Sequence, residues 1–393
     1  MISTTRLRVA LLNTTGRIGG AERALLDLVA AMAGADAPVS YHALLGEPGP
    51  MADALSALGV AVEVLPLPGA VARLGDAGLS ARRGGALALA AGAAVAAPRG
   101  LLYLRNLAAR LRAIGPDVVH SNGLKAHALA AWAAARGTPV LWHLHDYLGP
   151  RPAMSRLLRR CRRPGLGVVA VSRSVAEDAR RVLGPHVPVS SIHNGIDIQR
   201  FRREPAPRQG LDVGLVATFA AWKGHGVFLD AAAMVPASLG CRFHVVGGPI
   251  YRTSGSQVDP DALRRRAEAH GPEVRFAGHL DDPAAAICGL DIVVHASTRP
   301  EPFGLVLAEA MAAGRAIVST GLGGAAEVVE GGLTALIVPP NDPPALAAAI
   351  ARLAADAGLR RRLGDAARDA SGRFDRGHLV APWLAAYRGD ALP

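Results

Sequence analysis

Of the 43 basic residues in this 393-residue chain, only Lys125 and Lys223 are lysines. So strong an arginine bias is better explained by genome composition than by function, and it makes each retained lysine worth following. Aromatic residues make up 4% of the chain, and zinc-finger spacings, aromatic-rich RNA motifs and basic heptad helices are absent. The net charge of +11 is therefore not read as a nucleic-acid surface. Phosphate-bearing substrates or an anionic membrane surface are the uses left for it. Cys161, Cys241 and Cys288 are isolated from one another, which argues against a disulfide framework and a thiolate metal cluster. With MISTTRLRVALLN entering a strand without an apolar leader, a cytoplasmic protein in a reducing compartment is expected. The longest apolar run, GGALALAAGAAVAAP from Gly84, stops at Pro98. It is shorter than the ~20 residues of a membrane span, so a buried or interfacial helix is expected instead.

What is present is an alternating pattern. LRVALLN (Leu7 to Asn13) is continuously apolar, the mark of a strand buried on both faces. The glycine loop TTGRIGG then opens a helix, AERALLDLVAAMAG. VSYHALL, VAVEVLPL, PDVVHSN, PVLWHLHD, VVAVS and VSSIHNG follow as further strands. An Arg/Pro-rich stretch from about Arg200 to Gly210 reads as a linker, after which LDVGLVATFA, RFHVVGG, VRFAGHL, DIVVHAS, AIVST and ALIVPP restart the pattern. This predicts α/β architecture: two Rossmann-like, doubly wound parallel-sheet domains facing a central cleft, over 1–200 and 201–372. A C-terminal helix, 373–393, is expected to pack back towards the first. Asp259-Pro260, Asp282-Pro283 and Asp342-Pro343 each place an N-cap carboxylate before a proline at the first helical position. Ligands are expected at the carboxyl ends of the strands.

One such end is RPEPFGLVLAEAMAAG, which carries Glu301 in a loop and Glu309 on the helix that follows. Phe303, Gly304 and Leu305 open that helix, whose free N–H groups and dipole suit a diphosphate. Glu309 lies about 7 Å further along the axis, a reach that fits the sugar hydroxyls of a nucleotide. Both glutamates equally suit a helix start for dipole reasons alone. Gly16, Gly19 and Gly20 do not spell G-x-G-x-x-G, so no dinucleotide fingerprint is present. Asp259-Pro260-Asp261 spells D-x-D but reads as a helix cap, and no metal is expected.

The segment resembles the Glu-seven-residues-Glu signature of glycosyltransferase family 4, whose members are retaining enzymes of the GT-B fold. The resemblance extends through GGAER, PDVVHSNG, LHD, VSRSVAEDA, HNGID, WKGH and GLGGAAEVV in family order. It implies transfer of a sugar from a nucleotide-diphosphate donor, UDP- or GDP-linked, to a hydroxyl acceptor, without a cofactor. Products would be a polysaccharide, a glycolipid or a specialised metabolite. Under the resemblance, Glu309 binds the ribose and Glu301 contacts the transferred sugar. Backbone N–H groups near Gly304 and Leu305 hold the diphosphate, and Lys223 neutralises the departing phosphate. His145 faces the reacting sugar, Gly19 and Gly20 close near the phosphates, and Leu280 meets the base.

The chain departs from the family at Thr218, where an arginine is usual; Arg252 or Arg299 are candidates to replace its charge. His120, His143 and His193 are read as structural. Arg156, Arg159, Arg160 and Arg163 recur at helical spacing within Arg151 to Gly165, opposite Met154, Leu157, Leu158 and Cys161. They form either a peripheral contact with anionic lipid at the inner membrane face or a solvated helix. Two alternatives stand beside transfer: a non-catalytic or weakly active nucleotide-sugar-binding protein of the same fold, and another nucleotide-sugar enzyme such as an epimerase.

Overall fold

A computed structural model describes residues 6–72, 85–203, 210–249, 257–270, 273–280 and 282–390. Arg252 lies outside them. The chain divides into two compact units, Met1–Gly195 with Arg376–Pro393, and Ile196–Asp375. The first crossing falls at Gly195 rather than near Arg200 because Ile196 already donates its N–H to the Phe374 carbonyl at 2.8 Å.

The first unit holds β1 (Leu7–Asn13), β2 (Val39–Leu45), β3 (Ala61–Val64), β4 (Val118–Asn122), β5 (Val140–Leu144), β6 (Leu166–Ala170) and β7 (Val189–Ser191). Their order is β3-β2-β1-β4-β5-β6-β7, and every pairing is parallel. The strands form because a parallel sheet covered on both faces buries uninterrupted apolar sequence, and β1, β4 and β5 are buried almost throughout. Chain order reverses between β1 and β4, whose last residues, Asn13 and Asn122, lie opposite each other. Trp383 and Tyr387, on the helix Val380–Arg388, are buried in this unit's core.

The second unit repeats the plan with β8 (Leu211–Val216), β9 (Cys241–Val246), β10 (Val274–Gly278), β11 (Ile292–His295), β12 (Ala316–Ser319) and β13 (Leu336–Ile337). The order is β10-β9-β8-β11-β12-β13, again parallel, reversing between β8 and β11. Both units are thus doubly wound α/β sheets, and each offers a switch-point crevice at its strand ends.

Two local expectations change. The helix expected to stop at Pro98 runs on, Gly85–Ile114, with Pro98 inside it. Proline removes one N–H from the ladder but does not end a helix whose following turns bury Tyr103, Leu107 and Leu111. Among the described residues no helix is long and apolar enough to cross a membrane. The Asp342 carboxylate caps its helix by accepting from the Ala345 N–H at 2.9 Å. Asp282 accepts from the Ala284 N–H at 2.8 Å, but the helix begins at Ala284, so Pro283 is the cap residue and not the first helical one.

Candidate active site

In the second unit the loops leaving β8, β11 and β12 are laced together around Glu301. Gly224, which ends the turn Ala221–Lys223, has φ +75°. A Cβ there would lie 1.9 Å from the Ala296 carbonyl oxygen, so only glycine lets this loop reach the end of β11. Thr298 then donates both its N–H (2.7 Å) and its hydroxyl (3.2 Å) to the Trp222 carbonyl. From the other side, Glu301 donates its N–H to the Leu322 carbonyl at 3.1 Å and accepts from the Gly324 N–H at 2.7 Å. The GLGGAAEVV stretch is therefore a clamp on the backbone of Glu301.

The Glu301 side chain is buried, 7% exposed, and three donors converge on its Oε2. They are Lys223 Nζ at 2.7 Å, His295 Nε2 at 3.0 Å and the Ser297 hydroxyl at 3.0 Å. Burial alone pushes a carboxyl pKa up; here the Lys223 charge and the His295 contact outweigh it and hold Glu301 at about 2. Lys223 Nζ also lies 4.2 Å from the centroid of the Trp222 ring. Behind Glu301, Gly304 takes φ +93° as the N-cap of the helix Leu305–Ala312, on which Glu309 is buried. A fixed carboxylate, an ammonium and the N-terminal end of a helix are thus gathered at the reversal of the strand order.

The first unit gathers a different set at the ends of β1, β4 and β5. His145 Nε2 donates to Asn122 Oδ1 at 2.7 Å, and Asn122 Nδ2 donates to Asn13 Oδ1 at 3.2 Å. Glu22, on the first turn of the helix Gly20–Gly34, accepts from the Gly19 N–H at 3.0 Å and also hydrogen-bonds Asn13. Its burial raises its pKa. Beneath His145 the rings pack together: His143 tilted at 4.0 Å between centroids, then Trp383 edge-on to His143 at 4.6 Å and stacked on His120 at 4.9 Å. Burial pulls His145 down to about 3, and burial with the neighbouring His145 does the same to His120. His145 is therefore neutral at physiological pH and presents an uncharged imidazole.

Comparison with known proteins settles the family. The Glycosyltransferase Family 4 domain matches residues 18–200, and the Glycosyl transferases group 1 domain matches 210–356. The glycogen synthase of Mycobacterium tuberculosis (strain CDC 1551 / Oshkosh) is 31% identical over 304 residues, 71% of each chain. The chain belongs to glycosyltransferase family 4. The phosphatidyl-myo-inositol mannosyltransferase of Mycobacterium leprae (strain TN) is 29% identical over 287 residues, covering 69% of this chain and 73% of that protein. A crystal structure of Anabaena Alr3699/HepE in complex with UDP and glucose shares the fold, with TM-score 0.80, 24% identity, and coverage of 98% of this chain and 100% of that one. The two parallel-sheet domains are those of the GT-B glycosyltransferases.

Within this glycosyltransferase the sequence-identified residues fall into two groups. Lys223, Glu301, Gly304, Leu305 and Glu309 share the switch point of the second unit; Phe303 is buried beside them, edge-on to Phe374 at 5.7 Å. Thr218 lies two residues past β8, and its carbonyl accepts from the Ala220 N–H at 2.7 Å. Leu280 follows β10, whose Gly278 carbonyl accepts from the Gly247 N–H at 2.8 Å. Arg299 is exposed in the loop that Thr298 ties to Trp222. Gly19, Gly20 and His145 belong to the first unit.

Sequence reasoning missed His295, Ser297 and Ser319 in the second unit and Asn13, Asn122 and Glu22 in the first. A signal was there: of the strands that border a switch point, β1, β4 and β11 end in a polar residue, Asn13, Asn122 and His295, whereas β8 ends in Val216. Arg163 does not share the exposed face of Arg156, Arg159 and Arg160. It turns inward and donates to the carbonyls of Ala131 (3.0 Å), Ala134 (2.9 Å) and Ala135 (2.5 Å), at the C-terminal end of the helix Leu124–Ala133.

Proposed function

We propose that this glycosyltransferase moves a sugar from a nucleoside-diphosphate donor, UDP- or GDP-linked, to a hydroxyl acceptor, with retention of configuration and without a metal cofactor. The observation that carries the reading is the pair between Lys223 and the buried Glu301 in front of the helix that Gly304 opens. That helix N-terminus and Lys223 would take the two phosphates and stabilise the charge that develops as the donor bond breaks. Glu309 would accept from ribose hydroxyls, and Leu280 would meet the base. Glu301 would orient the sugar from the second unit; in the first, the family resemblance gives a neutral His145 a sugar-facing role and Gly19 and Gly20 a phosphate-facing one. Three donors on Glu301 Oε2 make that carboxylate a poor nucleophile. This fits attack by the acceptor on the face the leaving phosphate departs from. UDP in the Anabaena complex supports a uridine donor. Arg299 remains a candidate for the charge that Thr218 lacks, as does Arg252.

Calorimetry with UDP, GDP, ADP and dTDP, in EDTA, against the wild type and Glu309→Ala tests the reading. Tight binding of one nucleotide, lost in the variant, is expected. Binding of none, or binding indifferent to Glu309, overturns it.

The exposed Arg156, Arg159 and Arg160 on the helix Pro152–Arg160 support peripheral contact with anionic lipid. Sedimentation with phosphatidylglycerol vesicles should fall when all three become glutamine; unchanged sedimentation removes this contact.

A further inference from the structure

The buried carboxylate at the centre of the second unit has more partners than it needs, and they differ in kind. Lys223 reaches Glu301 from a turn on the surface, and its side chain is 17% exposed. His295 and Ser297 reach it from the end of β11 and the residues just after, His295 with a side chain 3% exposed. His295 is itself held. Its Nδ1 is 3.2 Å from the Ser319 hydroxyl on the neighbouring strand β12, and that hydroxyl accepts from the Gly321 N–H at 3.1 Å. The Glu301 carboxylate can only accept, so the ring nitrogen that faces it must carry hydrogen, and Nδ1 is left to meet the Ser319 hydroxyl. The imidazole hydrogen is then on Nε2, which faces Glu301 Oε2 at 3.0 Å. Ser297 adds its own hydroxyl to the same oxygen.

We propose that His295, held between Ser319 and Glu301, is a positioning residue that keeps Glu301 ionised when Lys223 leaves it for the donor diphosphate. A buried carboxylate stripped of a cation takes up a proton or destabilises the fold. Glu301 avoids both because two further donors, His295 and Ser297, fixed at a buried strand end, stay behind. Lys223 is therefore an exchangeable partner, and His295 with Ser297 is the permanent cradle. The same ammonium can pair with a carboxylate before the donor arrives and with phosphate afterwards. This rests on the functional reading above for the identity of the second partner of Lys223, whereas the Ser319–His295 contact stands independently of it.

The test has two arms. Imidazole 15N shifts of the wild type should show a hydrogen on His295 Nε2, and it should persist in Ser319→Ala, where Glu301 still faces that nitrogen. An Nε2 without hydrogen in the wild type overturns the proposal whatever the enzyme binds. In the second arm, UDP and GDP are titrated calorimetrically in buffers of different ionisation heat, which counts the protons taken up on binding. His295→Phe should take up more protons than the wild type, approaching one, as Glu301 loses its lysine. His295→Gln, which restores an N–H donor, should return to the wild-type count. Donor hydrolysis should fall on the order of 10–100-fold in His295→Phe, the size seen when a partner that orients a metal-binding side chain is removed. An unchanged proton count in His295→Phe overturns the exchange. If the wild type binds neither nucleotide, the functional reading has failed and the exchange falls with it, while the tautomer arm still decides the cradle.

Discussion

The two units solve the same problem, a polar crevice at the reversal of a parallel sheet, with opposite chemistry. In the second, charge is concentrated: a carboxylate held near a pKa of about 2 lies against an ammonium. In the first, the rings carry no charge: Asn13 and Asn122 link His145 to the glycine loop that Glu22 holds, and histidines that burial keeps neutral pack below. A charged pair suits groups that gain charge as a bond breaks. An uncharged imidazole suits hydroxyls, which need oriented hydrogen bonds and no counter-ion. The contrast also separates how each unit depends on pH, packing and partner loss.

The largest effect expected is on packing in the first unit. Trp383→Ala removes the ring stacked at 4.9 Å on His120 and should cost about 3–5 kcal/mol. Amide hydrogen exchange should show that loss across β1, β4 and β5 and leave β8, β11 and β12 protected. Equal deprotection of both sets would mean the units do not unfold separately.

Next comes Lys223→Met, which strands the Glu301 charge. Removing one partner of a buried pair costs about 3–5 kcal/mol, reduced here by His295 and Ser297, and donor turnover should fall roughly 10²–10³-fold. Thermal melting and donor hydrolysis read the two parts. A variant as stable and as active as the wild type would break the comparison outright.

Acid should then separate the units. Burial depresses His120 and His145 to about 3 from 6.5. For each, the unfolded chain binds the proton that the folded chain refuses. Stability is fully present above about 6.5 and falls by up to about 1.4 kcal/mol per pH unit per histidine as pH drops towards 3. Glu301 works in a lower window. Its depression from 4.5 to about 2 contributes about 3 kcal/mol above pH 4.5, lost as pH falls through 2. Denaturant titrations at pH 7.5 and 5.5, followed by hydrogen exchange, should weaken the first unit more, although His225, lowered to about 4, adds a smaller acid sensitivity to the second.

The smallest effect expected is from Asn122→Ala, which removes the acceptor of His145. Roughly 1–3 kcal/mol of stability should go, with nucleotide affinity unchanged.

Most of the architecture was legible because strands buried on both faces cannot hide: LRVALLN and DIVVHAS read as apolar runs whatever follows them. Glu301 and Glu309 were legible because glycine, proline and acid occur at a fixed spacing around a helix start. His295 was not, since a histidine ending an apolar strand reads the same whether it fills the core or holds a carboxylate. Only the neighbouring strand, which brings Ser319 alongside, distinguishes the two. The Arg163 caps were hidden for the same reason, because the carbonyls they satisfy lie about thirty residues away in the chain. The helix through Pro98 was misread because proline's local preference was set against packing that occurs further along.

The placement of Trp383 has a consequence in time. The second unit is one uninterrupted stretch, Ile196–Asp375, inserted into the first. At roughly 5–20 residues per second, its 180 residues take on the order of 10–40 s to synthesise after Gly195. Throughout that interval β1, β4 and β5 exist without the indole that packs on their histidines. The half of the enzyme made first is the half completed last.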